Sequence, residues 1–179
     1  AGSADITSTL DGVTFTYPFI VTAPLPTTAL VDDFSSDSST SWTTGGGVGW
    51  GDATFSYSGT GGNPGGKATV GWDTGSSSGS GVWIDFGPVN WDGHTGIKLD
   101  YNAASATDPF HIVVKDGSDK ELAKSPAVTP TTGGWNTKQF AFVDSIQGSG
   151  VLSSVARVQI FIPKGTMTSS IEFDNITAY

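Results

Sequence analysis

Apolar residues along this chain recur at every second position, in short runs closed by glycine, proline, serine or asparagine. That is the pattern of half-buried strands. The runs are Ala53–Ser58 (ATFSYS), Lys67–Asp73 (KATVGWD), Gly81–Phe86 (GVWIDF), Ile97–Tyr101 (IKLDY) and Phe110–Lys115 (FHIVVK). Lys138–Val143 (KQFAFV), Val155–Ile162 (VARVQIFI) and Ile171–Ala178 (IEFDNITA) complete the set. No apolar stripe at helical spacing extends beyond two turns. KATVGWD and GVWIDF flank a Gly/Ser stretch and read as a hairpin, while GTGGNPGG at 59–66 reads as a turn-rich loop. Eight or nine antiparallel strands without interleaved helices predict an all-β fold, a β-jelly roll of two antiparallel sheets.

The N-terminal stretch differs. Thr14–Thr22 (TFTYPFIVT) is apolar, but Pro18 restricts it to an edge or linker strand. Ala23–Thr28 (APLPTT) reads as a semi-extended proline-bearing linker. The predicted boundary lies near Leu30, with residues 1–29 as a linker or extra strand and 30–179 as the domain.

Parity assigns faces. In the strand ending VQIFI, Val158, Ile160 and Ile162 point one way, and Arg157, Gln159 and Phe161 the other. The same rule puts Val82, Ile84, Ile112 and Val114 inward, leaving Trp83, Asp85 and His111 outward. If those strands are neighbours, they share an aromatic and amide surface. Trp50 and Trp72 sit beside glycines at strand ends, where they are expected to flank it.

The closing strand carries Glu172 and Asp174 on one parity. A glycosidase needs two carboxyl groups about 5–5.5 Å or about 6.5–9.5 Å apart. Thr177 stands where a laminarinase-type Glu-x-Asp-x-x-Glu strand would carry its third acid, and the only other glutamate, Glu121, lies in a polar turn. His94 and His111 give no zinc spacing, and no Gly-x-Ser-x-Gly elbow exists. Calcium, which takes six to eight oxygens, fits the acids better. First and last strands of a jelly roll commonly lie side by side, so Asp32 or Asp33 is expected to meet Asp174, with Glu172 as a further ligand or a solvated neighbour. The alternative is that these acids merely blunt an edge strand.

Composition narrows the partners. Of 179 residues, eight are lysine or arginine against 17 acids, a net charge of −9 with Arg157 the single arginine, which disfavours a phosphate backbone. No apolar run is long enough for a membrane span, and with no cysteine there is neither disulfide nor thiolate chemistry. No signal peptide is evident, so the expectation is a mature or excised form. Glycine, serine and threonine dominate around six tryptophans, a composition of secreted β proteins in polymer-rich surroundings.

The order of motifs resembles family 11 carbohydrate-binding modules and their calcium-binding jelly-roll relatives over about residues 30–179. The family opening Leu-Asp-Asp-Phe is matched by Val31-Asp32-Asp33-Phe34, followed by Trp42. Asn90-Trp91-Asp92 precedes Ile97-Lys98-Leu99-Asp100, and Gly134-Trp135-Asn136-Thr137 leads into Phe140 and Phe142. Val155–Phe161 and Phe173-Asp174-Asn175-Ile176 match the last two strands. The resemblance implies a non-catalytic module, a concave β-glucan cleft and structural calcium near Asp32, Asp33 and Asp174. It also implies structural roles for Trp42, Trp91 and Trp135. The chain departs from the family by carrying VDSIQGSG at 143–150 and Ile162 at a cleft tyrosine position.

Sugar chemistry points the same way. Pyranose faces are apolar C–H surfaces rimmed by hydroxyls, which suit Trp83 and Phe161 as platforms with Asp85, His111, Arg157 and Gln159 at the rim. The expectation is a secreted, monomeric module that binds β-glucan, cellulose-type or mixed-linkage, and holds an attached glycanase to its polysaccharide. The alternatives are an adhesive calcium-binding surface domain without glycan binding, and a polysaccharide hydrolase or lyase.

Overall fold

A computed structural model describes residues 2–21, 28–45, 52–73, 79–163 and 169–179, without the side chains of 2–6 and 18–21. Its strands are β1 (Gly2–Leu10), β2 (Val13–Val21), β3 (Ala29–Asp32), β4 (Trp42–Thr44), β5 (Ala53–Gly62), β6 (Gly65–Trp72) and β7 (Ser80–Val89). They continue with β8 (Gly96–Asn102), β9 (His111–Lys115), β10 (Glu121–Lys124), β11 (Trp135–Ala141), β12 (Val155–Ile162) and β13 (Ser169–Ala178).

These strands form the predicted β-jelly roll. One sheet has the order β10-β9-β12-β7-β4, and the other β11-β8-β13-β6-β5. β13 pairs with β6 along its first half and with β3 along its second, so the first strand of the roll does lie beside the last. Val82, Ile112, Val114, Val158, Ile160 and Ile162, which parity puts inward, meet Val70, Ile97, Leu99, Ile171 and Phe173 of the opposite sheet, each at most 1% exposed. Phe34 fills the interior beside Trp42, whose ring stacks on Phe55 at 5.3 Å. Among the described residues no helix is long and apolar enough to cross a membrane.

Three expectations change. β6 and β7 are not a hairpin, because they belong to opposite sheets. Ala68, Val70 and Trp72 bury against the interior from one side, Val82 and Ile84 from the other. The loop expected at 59–66 is mostly strand: β5 runs to Gly62 and β6 begins at Gly65, leaving Asn63-Pro64 as the turn. The N-terminal strand has a partner, since β1 pairs with β2 from Gly2↔Val21 to Leu10↔Val13. Their turn is Asp11-Gly12 with φ of 49° and 79°, the two-residue geometry that right-twisted strands favour.

Candidate functional site

The outward face of the β10-β9-β12-β7-β4 sheet collects residues from three separate runs of sequence. Register arranges them in rows across the strands. Gln159 on β12 lies opposite Trp83 on β7 and Val113 on β9. Arg157 lies opposite Asp85 and Lys115, and Phe161 opposite Gly81 and His111. The Gln159 row continues to Thr43 on β4 and Lys124 on β10. Five strands about 4.8 Å apart make it about 19 Å long.

The row through Arg157 is internally paired. Its Nε donates to Asp85 Oδ1 at 2.6 Å and its Nη2 to Asp85 Oδ2 at 3.1 Å. Nη1 donates to Asp119 Oδ1 at 2.6 Å, an oxygen that also accepts from Lys115 Nζ at 3.2 Å. The hydrogen bond to Asp85, with the charges of Asp85 and Asp119, holds the guanidinium protonated more firmly than usual, against a smaller opposing effect of burial. Its carbon lies 5.1 Å from the centroid of the Trp83 ring, a cation–π contact that fixes one side of the half-buried indole.

The row through Phe161 is also enclosed. His111 stacks on the ring at 6.2 Å and Lys124 Nζ lies 5.2 Å from its centroid. A Cβ on Gly79, whose φ is +103°, would sit 2.6 Å from the ring, so glycine alone fits there. Phe161 is therefore a wall rather than an open platform. His111 Nδ1 donates to the Ser125 carbonyl at 2.8 Å, and the residue is only 9% exposed, too covered for the expected rim position. Gln159 is only 3% exposed, and forms the floor.

Trp72 does not flank this face. It belongs to the opposite sheet, is 3% exposed, and donates its indole N–H to Asp108 Oδ2 at 3.0 Å. Its alternate neighbours Ala68 and Val70 already point into the core, so parity carries it inward too. Trp50 lies outside the described residues. Trp42 and Trp91 are buried, and Ile162 faces the core, away from this surface.

The acids predicted as metal ligands are placed separately. Asp32 Oδ1 accepts from the Phe34 N–H at 2.9 Å, and Oδ2 from Trp42 Nε1 at 2.8 Å. Glu172 pairs with Lys67 and accepts from Asn102 Nδ2 at 2.8 Å, so a protein cation already answers it. Asp174 is fully buried opposite Asp100, accepting from the backbone of Asn63 at 2.5 Å and of Asn175 at 2.7 Å. Burial raises its pKa; those two N–H groups lower it, and the charges of Asp100 and Asp33 raise it further. The Asp33 carboxyl is held below the usual range by hydrogen bonds from Ser35. The four acids do not form one ligand set: among the described residues no three His, Asp or Glu side chains converge as metal ligands. Sequence reading missed Asp100, Asn63 and Asn175, which tie the β5–β6 turn to the two aspartates.

Two cavities open elsewhere, at one end of the sandwich. One of about 390 Å³ is apolar, lined by Leu30, Ile84, Phe86, Val89 and Trp91. The other, of about 500 Å³, is lined by His94, Phe142, Leu152 and Tyr179 among others. The Trp83 face is an extended surface instead, a shape suited to a polymer rather than an enclosed small molecule.

No protein-family profile matches the chain, and no curated protein matches it. Solved structures do. A family 11 carbohydrate-binding module of a cellulosomal cellulase from Clostridium thermocellum superposes with a TM-score of 0.64 at 17% identity, covering 85% of this chain and 94% of that one. The family 11 module of that organism in complex with a β-1,3-1,4-mixed-linked tetrasaccharide gives 0.66 at 16% identity, covering 84% and 94%. An exo-β-agarase gives 0.64 at 13% identity, with 84% of this chain matching 24% of the larger enzyme. At such identities the likeness concerns architecture: the chain has the β-jelly-roll fold of the family 11 carbohydrate-binding modules.

Proposed function

We propose that this chain is a non-catalytic carbohydrate-binding module that binds a β-glucan chain across the outward face of the β10-β9-β12-β7-β4 sheet. The observation that carries the reading is the register of three distant segments, which aligns Trp83, Gln159 and Thr43 in one row between a charged row and an aromatic wall. The indole offers an apolar face for a pyranose ring, and the amide and hydroxyl offer neutral hydrogen-bonding groups. The architectural likeness to a module solved with a mixed-linked tetrasaccharide supports the same ligand class. Tethering such a module to a glycanase raises the local concentration of polymer at the enzyme, the role proposed for it in a secreted, multidomain parent. The domain proper is proposed to span residues 30–179 and to act as a monomer.

The test is affinity electrophoresis in gels containing a β-glucan, with product release assayed in parallel. Wild-type protein should be retarded without releasing reducing ends, and Trp83→Ala should run as in a plain gel with its melting temperature little changed. Equal retardation of Trp83→Ala would remove this face from the site. Retardation by no polysaccharide would favour an adhesive domain, and released ends an enzyme.

Calcium belongs to the proposal at one place only. Asp33 and Asp174 are the pair of the predicted acids that could hold it, since Asp174 lies buried among like charges that no lysine or arginine answers in the contacts described. There the ion would supply charge compensation that ties the strand after β3 to β13. Calcium should raise the melting temperature by several degrees and Asp174→Asn should abolish the increment; a melt indifferent to calcium and chelator would dispose of the ion.

A further inference from the structure

The hairpin of β1 and β2 belongs to neither sheet of the roll, and its two faces differ. Residues directly opposite in an antiparallel pair share a face. Ser8↔Phe15 and Leu10↔Val13, with Tyr17 two residues beyond Phe15, make one face; Thr7↔Thr16 and Thr9↔Thr14 make the other. The threonine face is suited to water, and its Thr9 and Thr14 hydroxyls are hydrogen-bonded at 3.2 Å. Nothing among the described residues covers the apolar face. Leu10 is 71% exposed, Val13 55%, Phe15 46% and Tyr17 59%, and none of them belongs to the core of the roll. A two-stranded hairpin is marginal in water without a further surface to pack on, and contiguous exposed apolar residues mark a contact.

The order of residues on that face indicates what covers it. The residues of this parity are Gly2, Ala4, Ile6, Ser8 and Leu10 on β1, and Val13, Phe15, Tyr17, Phe19 and Val21 on β2. Small residues on β1 stand opposite large ones on β2: Gly2 opposite Val21, Ala4 opposite Phe19, Ser8 opposite Phe15. β2 is a ridge and β1 a trough. We infer that the hairpin is a dimerisation element, which packs this face against the same face of a second copy of the chain. A two-fold axis parallel to the strands lays the β2 ridge of each copy over the β1 trough of the other, a closed isologous contact between sheets about 10 Å apart. Charge agrees with a twin as partner. Residues 2–21 hold only Asp5 and Asp11 and no lysine or arginine, and Asp5 is of the other parity while Asp11 lies in the turn, so the face offers nothing to a charged surface. Nine residues in each strand make it about 30 Å long and two strands wide, the small end of specific interfaces, so the dimer is a dissociating one with a constant on the order of 10 μM. The domain proper, residues 30–179, takes no part in the contact. On the glycan-binding reading above, the dimer sets two Trp83 faces on one polymer and raises retention by avidity, but the contact itself does not depend on that reading.

The test is sedimentation equilibrium of the 179-residue chain over about 1–500 μM without sugar. The mass of the wild type should rise with concentration from 18.4 kDa toward twice that value, and about 1 M sodium chloride should not weaken the association, as expected of an apolar contact. Phe15→Thr together with Tyr17→Thr keeps strand propensity and removes the ridge; this variant should stay monomeric throughout, with the melting temperature of the roll unchanged. Ser8→Phe separates shape from apolarity. It adds apolar area but fills the trough opposite Phe15, and should weaken dimerisation at least about tenfold. Thr16→Gln, on the solvated face, should dimerise as wild type does. A wild type that stays monomeric would overturn the dimer, and its flotation with phosphatidylcholine vesicles would assign the face to a lipid surface instead. Undiminished dimerisation of Ser8→Phe would overturn the ridge-in-trough packing, and equal loss in Thr16→Gln would overturn the choice of face. Should the double threonine variant lose the hairpin itself, Ser8→Phe, which strengthens strand propensity, decides the matter. No readout here uses a glycan, so failure of the dimer leaves the glycan-binding reading standing.

Discussion

Replacing Asp32 by alanine isolates what holds the start of the roll to its core. The carboxylate sits at the end of β3, 9% exposed, and accepts two buried donors, the backbone N–H of Phe34 and the indole N–H of Trp42. Phe34 adopts a left-handed conformation, φ +48°, uncommon for a bulky residue, and the bond from Asp32 two residues earlier secures that turn. With the carboxylate gone, both donors are stranded in an interior where Phe34 is 0% and Trp42 7% exposed. Each unsatisfied buried group costs about 1–3 kcal/mol, and relief of a desolvated charge returns part of it, so a net loss of about 3 kcal/mol is expected. For a domain of this size that lowers the melting temperature by about 6–12 °C. Asp32→Asn keeps the shape and one acceptor oxygen, and should lose less. The assay is thermal unfolding by circular dichroism in chelator. An alanine variant melting within about 2 °C of wild type would refute the reasoning. So would a loss seen only with calcium present, because the function of Asp32 would then be metal ligation rather than completion of two N–H groups.

Other perturbations separate the fold from the face. Trp72→Phe strands Asp108 of one donor and should destabilise by about 1–3 kcal/mol in denaturant titration, while leaving retention in β-glucan gels unchanged. Gly62→Ala would place a Cβ 1.7 Å from the Gly66 carbonyl oxygen and 2.7 Å from Asp174 Oδ2, neither of which can retreat easily; a loss of at least about 3 kcal/mol is expected, read from the urea midpoint. Asp174 gives a pH signature with a definite sign. Its folded pKa is raised, chiefly by burial, so the native state holds this proton more tightly than the unfolded chain, and stability falls as pH rises from the unfolded pKa through the folded one. The melting temperature of wild type relative to Asp174→Asn, in chelator, should therefore rise on acidification from neutrality toward about pH 4. Asp33 and Asp37, whose pKa values are lowered by hydrogen bonds to Ser35 and Ser39, act in the opposite sense below that range.

How much of the fold could be read from residues follows from where alternation was strong. β12 and β13 carry long apolar alternation, and their positions were foreseen almost to the residue. β3, β4 and β10 have three or four residues each, too few for any period to show. β1 is a different case: Asp11-Gly12 between two alternating runs is a strong hairpin signal, and it outweighs the penalty that Pro18 sets on a strand, because β1 and β2 pair with no third strand beside them. The hairpin expected between β6 and β7 shows the limit of local reading. Strand, glycine-rich loop and strand look alike whether the second strand returns beside the first or crosses to the opposite sheet. Only the demand that both bury their apolar faces against each other decides the matter.

The site was readable in one dimension and hidden in the other. Parity is a property of a single strand, so it named Trp83, Asp85, His111, Arg157, Gln159 and Phe161 as outward. Which outward residues meet depends on register between strands distant in sequence, here β7, β9 and β12, and no single strand records it. That second dimension changes the chemistry. Taken singly, Arg157 and Asp85 look like rim groups for a sugar; placed opposite one another they consume each other, and Asp119 and Lys115 close the network. An ion pair so engaged would lose hydrogen bonds on turning to a neutral hydroxyl, so it serves better to brace Trp83 than to bind. Among the described residues of this face, the charged network recruits neither the neutral amide of Gln159 nor the hydroxyl of Thr43, both in the row of that braced indole. The division of labour fits an uncharged polymer: charge is satisfied inside the protein, and the row left to the ligand is aromatic, amide and hydroxyl.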